Sequence, residues 1–189
     1  MEGYYDPWPL VILERPITLS GFYGCEDGKV AWSTAARLGL NLVHVSRLVE
    51  HQAGTTEAAI IADEGYEGWH RRCRVVLRST LPQQPPGIWT LGPNVLMDPV
   101  CAGLIHNQSR HIHLRQSAAE RFAKVAAILD MNPTRFLPWL APSMLLTEQF
   151  ELMWSQRVTG YERAEIQIDC EQHHHSKTAD RVIELLQQG

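Results

Sequence analysis

Apolar positions along the chain fall into short β-leaning runs separated by longer stretches with helical spacing. The first run, residues 17–20, breaks into the loop Gly21-Phe22-Tyr23-Gly24. A helix is expected through Trp32 and Ala35 to Leu38, with Gly39 as its stop. Residues 42–46 read as the next strand, and a largely helical region follows over 47–81, broken at Ala53-Gly54. Residues 83–87, with two prolines and a glycine, are a turn, and 88–91 form a third strand ending at Gly92-Pro93. Residues 111–114 are a fourth strand, and Ser117 is placed to cap a helix running to about Leu129. Pro133, Pro138 and Pro142 mark an irregular stretch before a helix over 144–158; residues 166–168 make a fifth strand and 178–186 a closing helix. Strands alternating with helices predict the α/β class, with a five-stranded parallel sheet covered on both faces in three layers.

Composition narrows the partners. A chain of 189 residues with 44% hydrophobic residues can bury one ordinary core, so residues 17–189 are expected to form a single domain behind a Tyr/Trp/Pro-rich leader, residues 1–16. A formal charge of −4 supplies no basic field for nucleic acid or an anionic membrane surface. No stretch approaches the ~20 apolar residues that span a bilayer. The four cysteines, Cys25, Cys73, Cys101 and Cys170, are scattered without a C-x-x-C pair, which argues for reduced thiols in a cytoplasm and against a zinc site. The leader lacks the basic start and apolar run of a signal peptide.

In a parallel sheet, ligands bind beyond the carboxyl ends of the strands. That rule selects residues 21–28, 44–46, 92–95 and the segment after Leu114. The sequence there, read in order, is Gly21-Phe22-Tyr23-Gly24, then Ala53-Gly54-Thr55-Thr56-Glu57-Ala58, then Glu64-Gly65-Tyr66-Glu67-Gly68-Trp69-His70-Arg71-Arg72. Leu91-Gly92-Pro93-Asn94, Arg135, Arg157 with Tyr161, and the run from Ala164 to Asp169 follow. Together these segments resemble shikimate kinase over residues 17–187, which implies the three-layer architecture of P-loop kinases.

The departures from that family fall on functional positions. A G-x-x-x-x-G-K-(S/T) loop cradles phosphates with backbone N–H groups and a lysine, and holds Mg²⁺ with a hydroxyl. Aligned from Gly21, the second glycine is Glu26, the lysine Asp27 and the hydroxyl residue Gly28. Sliding the register onto Gly24, Gly28 and Lys29 leaves the loop one residue short and puts Val30 where the hydroxyl belongs. Where the resemblance implies an Asp-x-Asp pair, this chain has His44 and Ser46; the substrate-gripping arginine is His70, with Arg71 beside it, and an acidic position is Cys73. Two of three glycines have become Pro93 and Asn94, which follow Gly92.

The resemblance therefore implies a pocket formed by His44, Ser46, Trp69, His70, Arg71, Cys73, Gly92, Asn94, Arg135 and Arg157. In it, Arg157 anchors a carboxylate, with His44, His70 and Cys73 as the catalytic candidates. The leading expectation is an ATP-independent enzyme, without cofactor or metal, that eliminates, isomerises or hydrolyses a small cyclic carboxylic acid of shikimate or chorismate type. One alternative is a non-catalytic pseudokinase binding a metabolite, or a protein through Tyr4, Tyr5 and Trp8 of the leader; another is a true kinase with an altered loop. Residues 173–175, three histidines, read as a solvated loop, while His111 and His113 share a strand face without a third metal ligand nearby. The tryptophans Trp32, Trp89, Trp139 and Trp154 are expected to pack, whereas the resemblance puts Trp69 in the lining of the pocket.

Overall fold

The computed structural model describes residues 11–83, 85–131, 146–170 and 174–188. Tyr4, Tyr5, Trp8, Arg135, Trp139 and His173 therefore lie outside the described residues. Five strands, β1 (Ile17–Ser20), β2 (Leu42–His44), β3 (Ile88–Thr90), β4 (Arg110–Arg115) and β5 (Ile166–Asp169), form one sheet in the order β2-β3-β1-β4-β5. Every pairing is parallel, with Thr18 between Trp89 and His111. The helices are α1 (Asp27–Leu38), α2 (Val45–Ala53), α3 (Glu57–Thr80), α4 (Pro99–Gln108), α5 (Ala118–Met131), α6 (Leu146–Ser155), α7 (Val158–Glu162) and α8 (His175–Gln187).

Period-two alternation explains how the sheet is covered. Ile17, Leu19, Ile112 and Leu114 enter one apolar cluster with Val30 and Ala35 of α1 and Val182 and Leu186 of α8. Their neighbours Thr18, Ser20, His111 and His113 take the opposite face and are also buried, giving the sheet a polar seam on that side. There the larger cluster gathers Trp69 and Leu77 of α3, Ile105 of α4, Phe150 of α6 and Tyr161 of α7. Burial on both faces is what a central parallel strand requires.

Several local expectations need correction. The second strand stops at His44, because Val45 and Val49, one helical turn apart, are both buried and begin α2. The third stops at Thr90. The segment after Asn94 turns through a short 3₁₀ piece, Val95–Met97, into α4, which the sequence pattern did not separate out. Its signal is local: Asp98 accepts a hydrogen bond from Val100 N at 3.0 Å, with Pro99 in the first turn. Within α3, Gly65 has a non-helical φ of 69°, so the long helix is kinked. The helix expected over 144–158 ends at Ser155, and α7 follows as a separate turn. The histidine run is not simply a loop, since His174 caps α8 and His175 is its first residue. Trp32 is 65% exposed rather than packed, because α1 turns Val30, Ala31, Thr34 and Ala35 inward and leaves position 32 on the outer side.

Candidate functional site

The carboxyl ends of β1, β2 and β3 open onto two adjoining regions. The first is the loop after β1. Gly24 has φ +86° and its backbone runs against α5, where a Cβ would meet Arg121 O at 2.7 Å. Cys25 N donates to Phe22 O at 2.8 Å, closing a tight turn, and α1 then starts at Asp27. A cavity of about 270 Å³ lies against this loop, lined by residues 21–27, Pro93, Val125 and Ile128.

Two carboxylates, Glu26 and Asp27, are the charged groups of that lining. Lys29 pairs with Glu26, holding the Glu26 carboxyl below its usual range. Asp27 receives only backbone N–H groups, its own and that of Gly28, and desolvation by burial pushes its pKa up to about 7. Among the described residues no cation pairs with it.

The second region centres on Asn94. Its Oδ1 accepts from Arg157 Nη2 at 2.7 Å and from Arg157 Nε at 3.2 Å. Its Nδ2 donates to Glu57 Oε1 at 2.8 Å and to Tyr23 Oη at 3.2 Å. Its backbone carbonyl accepts from His70 Nε2 at 3.0 Å, which fixes the proton on that nitrogen. Arg157 is 1% exposed, and Nη1 also donates to Met153 O at 2.8 Å and to Gln156 Oε1 at 3.4 Å. The Asn94 amide thus sits as a dipole between a buried guanidinium and Glu57, whose pKa burial raises against the lowering effect of Asn94.

The remaining candidates are distributed around this centre. His44 ends β2, half-buried, with Nδ1 and Thr90 Oγ1 sharing a 2.6 Å hydrogen bond; desolvation, helped by Arg47, lowers its pKa. Ser46 is a support rather than a ligand contact: its Oγ donates to Leu91 O at 3.1 Å, directly under Gly92. Gly92 has φ +80° and would bring a Cβ to 2.2 Å from that Oγ, so it must remain glycine. Trp69 is fully buried, and its Nε1 has no hydrogen-bond partner.

Two candidates are not brought to the site. Cys73 lies in the apolar core with its thiol pushed far up by burial, and His70 turns to Asn94, so no thiolate–imidazole pair forms. Arg71 points outward to Glu64 Oε2 at 2.7 Å and lines a separate groove with Val49, Gln52, Ala53, Arg72 and Val75. Glu57, Tyr23 and Tyr66, whose ring stacks on His70 at 6.0 Å, are participants that sequence reasoning missed. In the sequence Glu57 stands out only as one member of the run from Ala53 to Ala58. Beneath both regions, Ser20 Oγ bonds His111 Nε2 at 2.7 Å and His113 Nδ1 at 3.3 Å, so the histidine pair serves the buried seam.

Comparison with known proteins agrees with this geometry. The fold matches the shikimate kinase of Acinetobacter baumannii in complex with shikimate, at a TM-score of 0.78 and 18% identity over 96% of this chain and 95% of that one. The enzyme of Bacteroides thetaiotaomicron matches at 0.73 and 14%, over 92% and 98%, and that of Aquifex aeolicus at 0.70 and 15%, over 92% and 96%. No curated protein matches in sequence. The family model for shikimate kinase, however, aligns with residues 28–187, which include α1 after its first residue Asp27, all of the Asn94–Arg157 network except Tyr23, and the last strand and helix. With the family model covering most of the chain and the parallel sheet in accord, the chain belongs to the shikimate kinase family.

Proposed function

We propose that this chain binds a small cyclic carboxylic acid without transferring phosphate to it. The observation that carries this reading is Asp27, a carboxylate without a cation among the described residues, at the position to which the sequence resemblance assigns the family's phosphate-binding lysine. One carboxylate–phosphate charge pair at 4 Å costs about 4 kcal/mol at an effective dielectric near 20, where a lysine would have gained as much. Lys29 does not replace it, being turned to Glu26.

The acid-binding half survives in a closed form. Asn94 Oδ1 takes both Nε and Nη2 of Arg157, the two-point grip a ligand carboxylate would use. An entering acid displaces that amide oxygen, which costs about 1.5–3 kcal/mol for hydrogen bonds to a charged group, or roughly 10- to 100-fold in affinity. The Acinetobacter baumannii relative holds shikimate, and an acid of that class is the natural occupant here.

Binding without catalysis is favoured because Cys73 is an inert core thiol and His70 is committed to a backbone carbonyl. One observation supports the alternative of an ATP-independent enzyme: His44 is half-buried and kept neutral, with only Nδ1 engaged, so it is able to accept a proton from a ring acid.

The test combines calorimetry with an ADP-release assay. With Mg-ATP and shikimate, no ADP release above buffer is expected; shikimate-dependent ADP release would overturn the loss of phosphotransfer. Shikimate and chorismate should bind weakly, and Asn94→Ala should tighten the better of them by about tenfold. Unchanged or weaker binding in that variant would show that Asn94 does not close the site. Conversion of chorismate followed by NMR, abolished by His44→Gln, would replace the binding reading by the enzymatic one.

A further inference from the structure

We propose that the cavity between the 21–27 loop and α5 is a binding site for a small organic cation, a primary ammonium on a short apolar or aromatic body, with Asp27 as its counter-ion. This site adjoins the Asn94–Arg157 network through Tyr23, which lines the cavity and accepts from Asn94 Nδ2, but its cation does not depend on an acid binding there.

The walls argue for an apolar body. Phe22, Pro93, Val125 and Ile128 face the cavity, Cys25 adds an uncharged thiol, and the charged lining residues are Glu26 and Asp27 alone. A volume of about 270 Å³ is at the small end for ligand sites and suits one ring with a short arm.

The charge of the occupant follows from which neighbouring ions are already engaged. Lys29 is held by Glu26. Lys124 pairs with Glu120 at 3.5 Å. Arg121, on the same face of α5 as Val125 and Ile128, lays its guanidinium over the Trp154 ring at 3.9 Å and the Phe22 ring at 5.3 Å. His175 reaches Glu26 at 3.9 Å, not Asp27. Asp27 is thus the one charged group of the lining without an opposite charge among the described residues, and the strain of that isolation appears as its pKa near 7. An ammonium would return the partner the carboxylate lacks, beside apolar walls that lower the local dielectric. An anion would meet only repulsion, and a neutral molecule would gain only the walls.

The test uses three near-isosteres, benzylamine, benzyl alcohol and benzoate, titrated into the full chain at pH 8 by ligand-observed NMR and calorimetry. Benzylamine should bind at least tenfold more tightly than benzyl alcohol, and benzoate should not bind. Asp27→Asn should remove the preference for the amine while leaving benzyl alcohol unchanged. Ile128→Trp, which fills the cavity from α5, should abolish binding of both. Equal binding of amine and alcohol, absence of amine binding, or a preference that persists in Asp27→Asn or Ile128→Trp would each overturn the proposal. If Asp27→Asn does not fold, the ligand series on the native chain with Ile128→Trp still decides it. ADP release in the kinase assay would count against the proposed function and leave this titration to stand by itself.

Discussion

Replacement of Arg157 by alanine is expected to lower the unfolding free energy by about 3–5 kcal/mol, through the hydrogen bonds lost by a buried charged group and the cavity its large side chain leaves. In a domain of this length that corresponds to a fall in thermal midpoint of roughly 10 °C or more. The reason lies in what the guanidinium holds. Asn94 Oδ1 loses both donors, Met153 O loses its side-chain donor, and Glu57 faces an interior without the opposing charge that Asn94 relays. A side chain only 1% exposed also leaves a void behind. Arg157→Lys keeps the charge but offers a single point instead of a planar fork, so its loss should be intermediate. Asn94→Ala leaves Arg157 with Met153 O and Gln156, and should cost about 1–3 kcal/mol. Because the two side chains meet directly, urea denaturation of both single variants and the double variant should show a coupling of about 1–3 kcal/mol. A nearly neutral Arg157→Ala with additive energies would mean that the guanidinium is held by water and that the network does not bind the domain together.

How far sequence could reach is clear from particular residues. The five strands were legible because their apolar runs are short, β-branched and separated by turn residues, as in the buried run Ile17–Ser20. The helix α4 was not, since Val100, Cys101, Ala102, Leu104 and Ile105 form a nearly continuous apolar stretch with no helical stripe, leaving Asp98-Pro99 as the signal. The grouping of His70, Asn94 and Arg157 followed from the family resemblance. Their hydrogen bonds to one another did not, because His70 and the backbone carbonyl of Asn94, 24 residues apart, meet only in space. Adjacent helical positions point about 100° apart, so a His70 turned inward sends Arg71 out to Glu64. The same geometry isolates Asp27. Lys29 looks close in sequence, but residues two apart on a helix do not face each other, whereas Glu26, three apart, does.

Acidification from pH 6.5 to 4 is expected to destabilise the fold, with the buried histidines responsible and Asp27 acting against them. Burial lowers His111 to about 3, helped by His113 and His106, and lowers His113 to about 4, where Arg121 and Arg115 add to the effect and the Ser20 carbonyl opposes it. Both side chains are 3% exposed, so water does little to relieve the cost of charging them. Between pH 6.5 and these values the unfolded chain binds the histidine protons and the folded one does not. Their stabilisation is therefore complete above pH 6.5 and lost as pH falls, at about 1.4 kcal/mol per pH unit for each group. Asp27 has the opposite sign: raised to about 7, it is protonated in the folded state over a range where the unfolded side chain is ionised, so its contribution grows as pH falls toward 4. At pH 5.5, two groups take up protons on unfolding and one releases its own, which leaves a net uptake near one proton. Urea denaturation at quarter-unit steps from pH 6 to 5 should give a slope of about 1 kcal/mol per unit for the native chain, flattening toward zero near pH 7. The slope should approach twice that value in Asp27→Asn and fall toward zero in His113→Gln. If Asp27→Asn left the slope unchanged, the carboxyl at the loop would be an ordinary solvated acid, and its isolation from any cation would have no energetic consequence.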